Sequence, residues 1–211
     1  MFSDQTRLAR IIWTALAGVA VWALVQWRLE LAFVAVVTLA VSLAPVFVAK
    51  WADIQVPASF IAALVMFVGG TLFLGEVFDF YERFWWWDMA MHGGSAIGFG
   101  LIGFVLVFMM FQGDRFAAPH VAVAFFGFCF AVFIGTIWEI FEFAMDQLFG
   151  LNMQKSGLVD TMGDLIVNVV GAVIGAAAGL AYLKGQAKGG LASVIDEFVQ
   201  RNPKFFKRWK K

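Results

Sequence analysis

The stretch APHVAVAFFGFCFAVFIGTIWEIFE, residues 118–142, decides the class of fold. It is apolar almost throughout, and its 25 residues exceed the roughly 20 that a helix needs to cross about 30 Å of hydrocarbon. Its two carboxylates, Glu139 and Glu142, stand near one end. The stretch therefore predicts a transmembrane helix with acidic side chains close to one membrane surface.

Five more apolar runs of similar length flank this one, which gives predicted spans at 9–27, 31–49, 57–78, 89–111, 118–142 and 162–183. The chain is 62% hydrophobic and 14% charged, with a mean hydropathy of +0.85, far from the range of a soluble domain. We predict an all-α polytopic transmembrane helix bundle over residues 1–188 and an amphipathic, basic tail over 189–211. No room remains in these 211 residues for a separate soluble catalytic domain.

The first span also has the basic start of a signal peptide, with Arg7 and Arg10 before an apolar run. Because no convincing small-residue cleavage site precedes a polar segment, we predict a retained first helix. The single cysteine, Cys129, lies in an apolar run, which excludes an intramolecular disulfide and makes it a small core hydrophobe.

Alternating the six spans across the membrane separates the charges. Twelve of the 15 basic residues fall on the side of the termini, whereas ten of the 15 acidic residues fall on the other side. By the positive-inside rule, we predict that both termini are cytoplasmic and that the acidic ends of the spans lie on the opposite side of the membrane. The twelve basic residues are Arg7, Arg10, Lys50, Arg115, Lys184, Lys188, Arg201, Lys204, Lys207, Arg208, Lys210 and Lys211.

The tail has apolar residues at helical spacing, followed by a basic run that includes Phe205, Phe206 and Trp209. This pattern predicts either an interfacial helix that binds anionic lipid or simply an extension of the positive-inside signal. The run is too short to predict nucleic-acid binding. The apolar residues of the helical pattern are Leu191, Val194, Ile195, Phe198 and Val199.

Small residues indicate where helices approach each other. Gly171, Gly175 and Gly179 repeat every four residues in the last span, which predicts close packing against a partner helix. Trp85, Trp86 and Trp87 are consecutive and point in different directions, as expected for an interfacial aromatic belt.

Polar residues recur at helical spacing near the outer ends of three spans. Spans four and six enter from that side and span five leaves there, so we expect the three sets to lie at one level. The candidate metal ligands are Asp88, His92, Glu139, Glu142, Asp146, Asp160, Asp164 and Asn168.

Several carboxylates cannot all remain ionised in a poorly solvated pocket unless a cation or bound protons compensate. Oxygen donors with one imidazole suit Mg²⁺, Ca²⁺ or Mn²⁺, with Zn²⁺ or iron permitted by His92. His92 and Glu139 are also the candidate catalytic residues. The alternative is that acidic residues only hydrate helix ends, which we favour for Glu76, Asp79 and Glu82; His120 is an expected interfacial residue.

The segment from Asp88 to His92-Gly93, the pair Glu139 and Glu142, and the stretch DTMGDLIVNVVGAVIG (160–175) together resemble the bacterial YjdF-like inner-membrane family. That family has no established activity, and the resemblance implies a multi-span protein of the bacterial inner membrane, in which the acidic side would be periplasmic. The last stretch also looks like the signature of VanZ-like membrane proteins, a group linked to glycopeptide-antibiotic resistance. The likeness covers residues 76–183 and departs from the YjdF-like pattern at Lys155, Ser156 and Gly157, where a more acidic segment is usual.

Three functions fit these observations. The first is a membrane enzyme that acts on a lipid or a lipid-linked phosphate with a divalent cation. Against it, only Arg83 and Lys155 are suited to phosphate on the outer side near the site. The second is a cation or proton transporter, although the spans show no inverted repeat. The third is a non-catalytic accessory or scaffold subunit of a membrane complex. We favour the cation site, in envelope or lipid physiology.

Overall fold

A computed structural model describes residues 4–111, 118–186 and 189–206. Six of its helices are long and apolar enough to cross a membrane, and no strand occurs among the described residues. The chain divides into two compact units, Met1–Trp87 and Asp88–Lys211. The predicted all-α membrane bundle is confirmed. Part of the predicted basic tail and loop lies outside the described residues: Asp114, Arg115, Lys188, Lys207, Arg208, Trp209, Lys210 and Lys211.

The first unit contains helices α1 (Arg7–Val25), α2 (Leu29–Trp51) and α3 (Ala58–Val68), with the short helix α4 (Phe80–Arg83). A tight turn at 26–28 joins α1 to α2. Trp13 packs with Val46, Ile61 and Val65 in the core of this unit. Its indole Nε1 donates a 3.2 Å hydrogen bond to Ser42 Oγ, which satisfies both polar groups in an apolar interior.

The third predicted span is continuous but changes its winding. A π-helix, Gly69–Gly75, follows α3 directly. Its last residue, Gly75, lies against the ring of Tyr81, where a Cβ atom would overlap the aromatic carbons. Wider helical turns leave room for such close approaches, and here the glycine supplies the space.

The second unit contains α5 (Trp87–Phe111), α6 (His120–Phe149), α7 (Leu158–Leu183) and α8 (Gly190–Arg201). Helix α6 extends seven residues past the predicted end of span five at Glu142. It ends at Gly150, whose φ of 67° is the left-handed conformation typical of a glycine helix cap. This extension places Glu139 and Glu142 inside the bundle, away from the helix terminus.

The glycine stripe of α7 packs against α5 of the same chain. A Cβ atom on Gly175 would lie 2.8 Å from the carbonyl oxygen of Ile97 and 3.0 Å from the Cα of Gly100. Gly171 lies equally close to the backbone at Gly93. The expected neighbour of the stripe is therefore supplied within the chain, and the two backbones approach closely because neither helix has a side chain there.

The apolar face of α8 packs inward. Ala192 and Ile195 are buried, and α8 contacts α7. Beyond the helix, Phe206 stacks on Phe108 of α5 at a ring separation of 5.6 Å and is also buried. The predicted amphipathic pattern is present, and Ile195, one of its apolar residues, is buried.

Candidate metal centre

Helix α5 contributes the imidazole at the centre of the polar cluster. His92 lies one turn after Asp88, and its side chain is 8% exposed. Its Nε2 atom is 3.6 Å from Asp88 Oδ1, and its Nδ1 atom is 3.5 Å from Glu139 Oε1. The ring therefore lies between two carboxylates, with one ring nitrogen facing each of them.

Helix α6 contributes two buried carboxylates. Glu139 is 4% exposed and Glu142 is 9% exposed, although their neighbours Ile140, Phe141 and Phe143 are exposed apolar residues. Glu142 Oε1 accepts a 2.9 Å hydrogen bond from the indole Nε1 of Trp138. The helix is thus amphipathic in the sense expected of a membrane span, with an apolar outer face and an acidic inner edge.

The carboxylate of Glu139 is short of donors. Neither of its oxygens makes a hydrogen bond of ordinary geometry to any residue that the structure describes, although the imidazole of His92 and the hydroxyl of Thr161 lie nearby. That hydroxyl also accepts a hydrogen bond from Gln154 Nε2. A buried carboxylate with so few donors is costly, so Glu139 calls for a cation, a proton or a bound polar molecule.

Helix α7 contributes Asp160, Asp164 and Asn168 at four-residue intervals, on one face of the helix. Asp160 is half-buried, whereas Asp164 and Asn168 are buried. The amide Nδ2 of Asn168 has no hydrogen-bond acceptor among the described residues. Asn168 lies directly against Gly135 of α6, where a Cβ atom would overlap its amide group.

Two overlapping sets of metal-ligand side chains result from this packing. The first set is Asp88, His92 and Asp164, and the second is His92, Glu139 and Glu142; within each, the ligand atoms lie within 4.8 Å of one another. Metal–ligand distances of about 2.0–2.6 Å place ligands on opposite sides of an ion about 4–5 Å apart. Both sets therefore have the spacing of a cation site, and they share the imidazole.

The other predicted ligands are placed differently. Asp160 and Asn168 belong to neither set. Lys155, in the loop before α7, lies near Asp88 and Asp160 and adds a positive charge at the outer edge of the cluster. Glu76 and Asp79, in the first unit, are exposed, and so is His120, at the start of α6.

Asp146 binds the loop that follows α6. Its Oδ1 and Oδ2 atoms accept hydrogen bonds of 2.7 Å and 2.9 Å from the backbone N–H groups of Met153 and Gln154. It lies on the same helical stripe as Glu139, which is why the spacing alone grouped the two. The carboxylate instead holds the connection between α6 and α7 in place.

Replacing Asp146 with alanine is expected to loosen that connection by removing two charge-assisted hydrogen bonds, at a cost of about 2–4 kcal/mol in unfolding free energy. Faster limited proteolysis within residues 150–157 would report it. Asp196→Ala is the control, because its carboxylate accepts from the exposed side chain of Gln200 in α8 and holds no loop. Equal cleavage rates in the two variants would contradict this role.

Sequence reasoning did not find Gly135 or Trp138 as parts of this cluster. No sequence pattern indicated Gly135, because a lone glycine in a span is usually a packing residue. Trp138 and Glu142 are four residues apart, and this spacing was a usable signal for their hydrogen bond.

Six apolar helices and a buried carboxylate–histidine cluster define a polytopic integral membrane protein with a polar site inside one helical unit. The model of a family described as predicted membrane protein (DUF2238) matches residues 8–185, and the chain belongs to that family.

An uncharacterised protein of Thermotoga maritima is 30% identical over 102 residues, which are 46% of this chain and 50% of that protein. The chain thus spans about half the length of this relative. No solved structure matches the chain.

Proposed function

We propose that the second unit binds a divalent cation through His92 and the carboxylates around it. The observation that carries this proposal is the state of Glu139, which is buried, has no ordinary hydrogen bond to a described residue, and lies 3.5 Å from a ring nitrogen of His92. A cation is the simplest group that satisfies both carboxylate oxygens and the neighbouring imidazole together.

The number of carboxylates in the cluster favours a cation with more than one positive charge. Asp88, Glu139, Glu142 and Asp164 carry four negative charges when ionised, and Lys155 is the cation placed near the cluster by the described structure. A single divalent ion cancels half of that charge and, in either ligand set, binds donor atoms from two helices.

The donor set favours some metals. Because His92 belongs to both ligand sets, its imidazole shifts the preference from Mg²⁺ and Ca²⁺, which bind oxygen donors, toward Mn²⁺, Fe²⁺ and Zn²⁺. Cys129 is half-buried on α6 and belongs to neither ligand set, so the site has no thiolate to select a softer ion.

The surroundings of the site favour a membrane enzyme that acts on a lipid or lipid-linked substrate. Trp138 is 47% exposed on the outer face of α6 while its indole binds the buried Glu142. A substrate that arrives from the bilayer would meet Trp138, whose indole is hydrogen-bonded to the proposed cation ligand Glu142. In such an enzyme the ion would polarise an oxygen of the substrate. The resemblance to YjdF-like and VanZ-like proteins adds an envelope setting to this proposal.

Transport is the weaker alternative. Beyond Asn168, the fully buried side chains that the structure describes in the middle of this unit are apolar, including Phe104, Ala131 and Ala172. An ion that entered from the acidic end would lose its ligands there, and a charge without ligands in a low-dielectric interior is strongly unfavourable. The charge distribution along the chain favours cytoplasmic termini, and together with the resemblance to bacterial inner-membrane proteins it favours a periplasmic position for the acidic end.

The metal content of the purified protein tests the proposal. The full chain in detergent is incubated with Mn²⁺ or Zn²⁺, desalted and measured by inductively coupled plasma mass spectrometry. We expect about one ion per chain in the wild type and its loss in His92→Ala, because both ligand sets include His92. His120→Ala is the matched control, since this histidine is exposed at the start of α6. A wild type without bound ion, or a His92→Ala variant that keeps it, would contradict the proposal.

A further inference from the structure

The two ligand sets share the imidazole ring of His92. The arrangement of carboxylates around this ring limits how a metal ion can bind. Asp88 faces Nε2 of His92, whereas Glu139 faces Nδ1. A neutral imidazole has one nitrogen with a free lone pair and one that carries a proton. It therefore ligates a metal through one nitrogen and donates a hydrogen bond from the other.

From this geometry, and resting on the proposed function above, we infer that the site has two alternative positions for one cation, on opposite edges of the His92 ring. The outer position is formed by Nε2 of His92 with Asp88 and Asp164. The inner position is formed by Nδ1 with Glu139 and Glu142. The two positions are occupied one at a time.

When the ion occupies one position, the carboxylate that faces the other ring nitrogen accepts a hydrogen bond and fixes the orientation of the imidazole. With the ion in the inner position, Nε2 carries the proton and donates toward Asp88. With the ion in the outer position, Nδ1 carries the proton and donates toward Glu139. The imidazole is neutral in both arrangements. Its single proton is on Nε2 in one arrangement and on Nδ1 in the other. Such histidine–carboxylate contacts fix the orientation of metal-binding imidazoles.

Burial ranks the two positions. All three residues of the inner position are buried, and it includes the Glu139 oxygens that make no ordinary hydrogen bond to a described residue. In the outer position, Asp88 is 24% exposed and lies in the first turn of α5. The inner position therefore gains most from an ion, and the outer position is the point at which an ion first meets the protein.

Histidine ¹⁵N NMR with Zn²⁺ reads the position directly, because the chain has two histidines and His120→Asn leaves the signals of His92 alone. Zn²⁺ is diamagnetic and moves the signal of the nitrogen that it binds. The full-length His120→Asn protein in detergent is the reference. We expect one bound Zn²⁺ per chain on Nδ1 and a proton on Nε2.

Two conservative variants move the ion selectively. Glu142→Gln removes a ligand of the inner position, and Gln can still accept the hydrogen bond from Trp138. It should keep one Zn²⁺ per chain, bound more weakly than in the reference protein and now on Nε2. Asp164→Asn removes a ligand of the outer position and should keep Zn²⁺ on Nδ1. The matched pair thus predicts opposite ring nitrogens for the same metal.

Three results would overturn the two-position inference while leaving the cation site in place. They are two Zn²⁺ ions per chain in the reference protein, loss of all Zn²⁺ in Glu142→Gln, and Zn²⁺ still on Nδ1 in Glu142→Gln. A reference protein that binds no Zn²⁺ at all would instead contradict the proposed function itself. Circular dichroism of each variant separates loss of a ligand from loss of the fold.

Discussion

Replacing Glu139 and Asp164 together with alanine is expected to abolish the rise in melting temperature that a divalent cation gives the protein in detergent. The change removes one carboxylate from each ligand set and leaves Asp88, His92 and Glu142. An ion at 100 times its dissociation constant stabilises a folded protein by about 2.7 kcal/mol. For a chain of this size, that corresponds to a shift of several degrees.

The comparison must use the cation-dependent shift, because the absolute melting temperature also changes. Removing two buried carboxylates relieves repulsion in the absence of metal and is therefore expected to stabilise the apo-protein. A thermal scan with and without Mn²⁺ isolates the binding contribution.

Glu82→Ala is the control for this experiment. Glu82 is exposed in the short helix α4 of the first unit and belongs to neither ligand set. It should keep the full cation-dependent shift. Equal loss of the shift in the Glu82 variant and in the double variant would mean that the cation acts through general charge screening, and the localised site would be wrong.

The second large effect concerns the glycine contact between α5 and α7. Gly175→Ala adds a Cβ atom that would lie 2.8 Å from the carbonyl oxygen of Ile97 and 3.0 Å from Gly100 Cα. Both are backbone atoms, so the helices themselves must separate. We expect a loss of about 1–3 kcal/mol in unfolding free energy, measured as a lower melting temperature. The separation should also weaken cation binding, because His92 is on α5 and Asp164 on α7.

Gly98→Ala is the matched control, because a Cβ atom there meets no other atom within 4 Å. Both variants make the same gain in helix propensity, about 1 kcal/mol for alanine over glycine. Gly98→Ala should therefore be neutral or stabilising, with unchanged cation affinity. A similar melting temperature for the two variants would show that the α5–α7 contact yields more easily than its backbone geometry implies.

The sequence predicts where the site lies better than it predicts which residues take part in it. Helical spacing predicts a shared face for Asp88 with His92, Glu139 with Glu142, and Asp160 with Asp164, because side chains three or four residues apart lie on the same face of a helix. Asp146, seven residues after Glu139, lies on the same helical stripe, yet it binds backbone N–H groups of the following loop. Periodicity predicts which face of a helix a side chain is on. What that side chain contacts depends on the helix or loop that packs beside it at that point.

The sequence by itself determined the membrane class, the six helices and the acidic end of three of them, because hydropathy and charge act over whole segments and need no partner. Only the tertiary structure decided that α7 packs on α5 through glycine, that α6 continues to Phe149, and that His92 faces a carboxylate with each ring nitrogen. Those features depend on distances of a few ångströms between helices that are far apart in the chain. Such distances result from the packing of specific side chains, which no single segment contains.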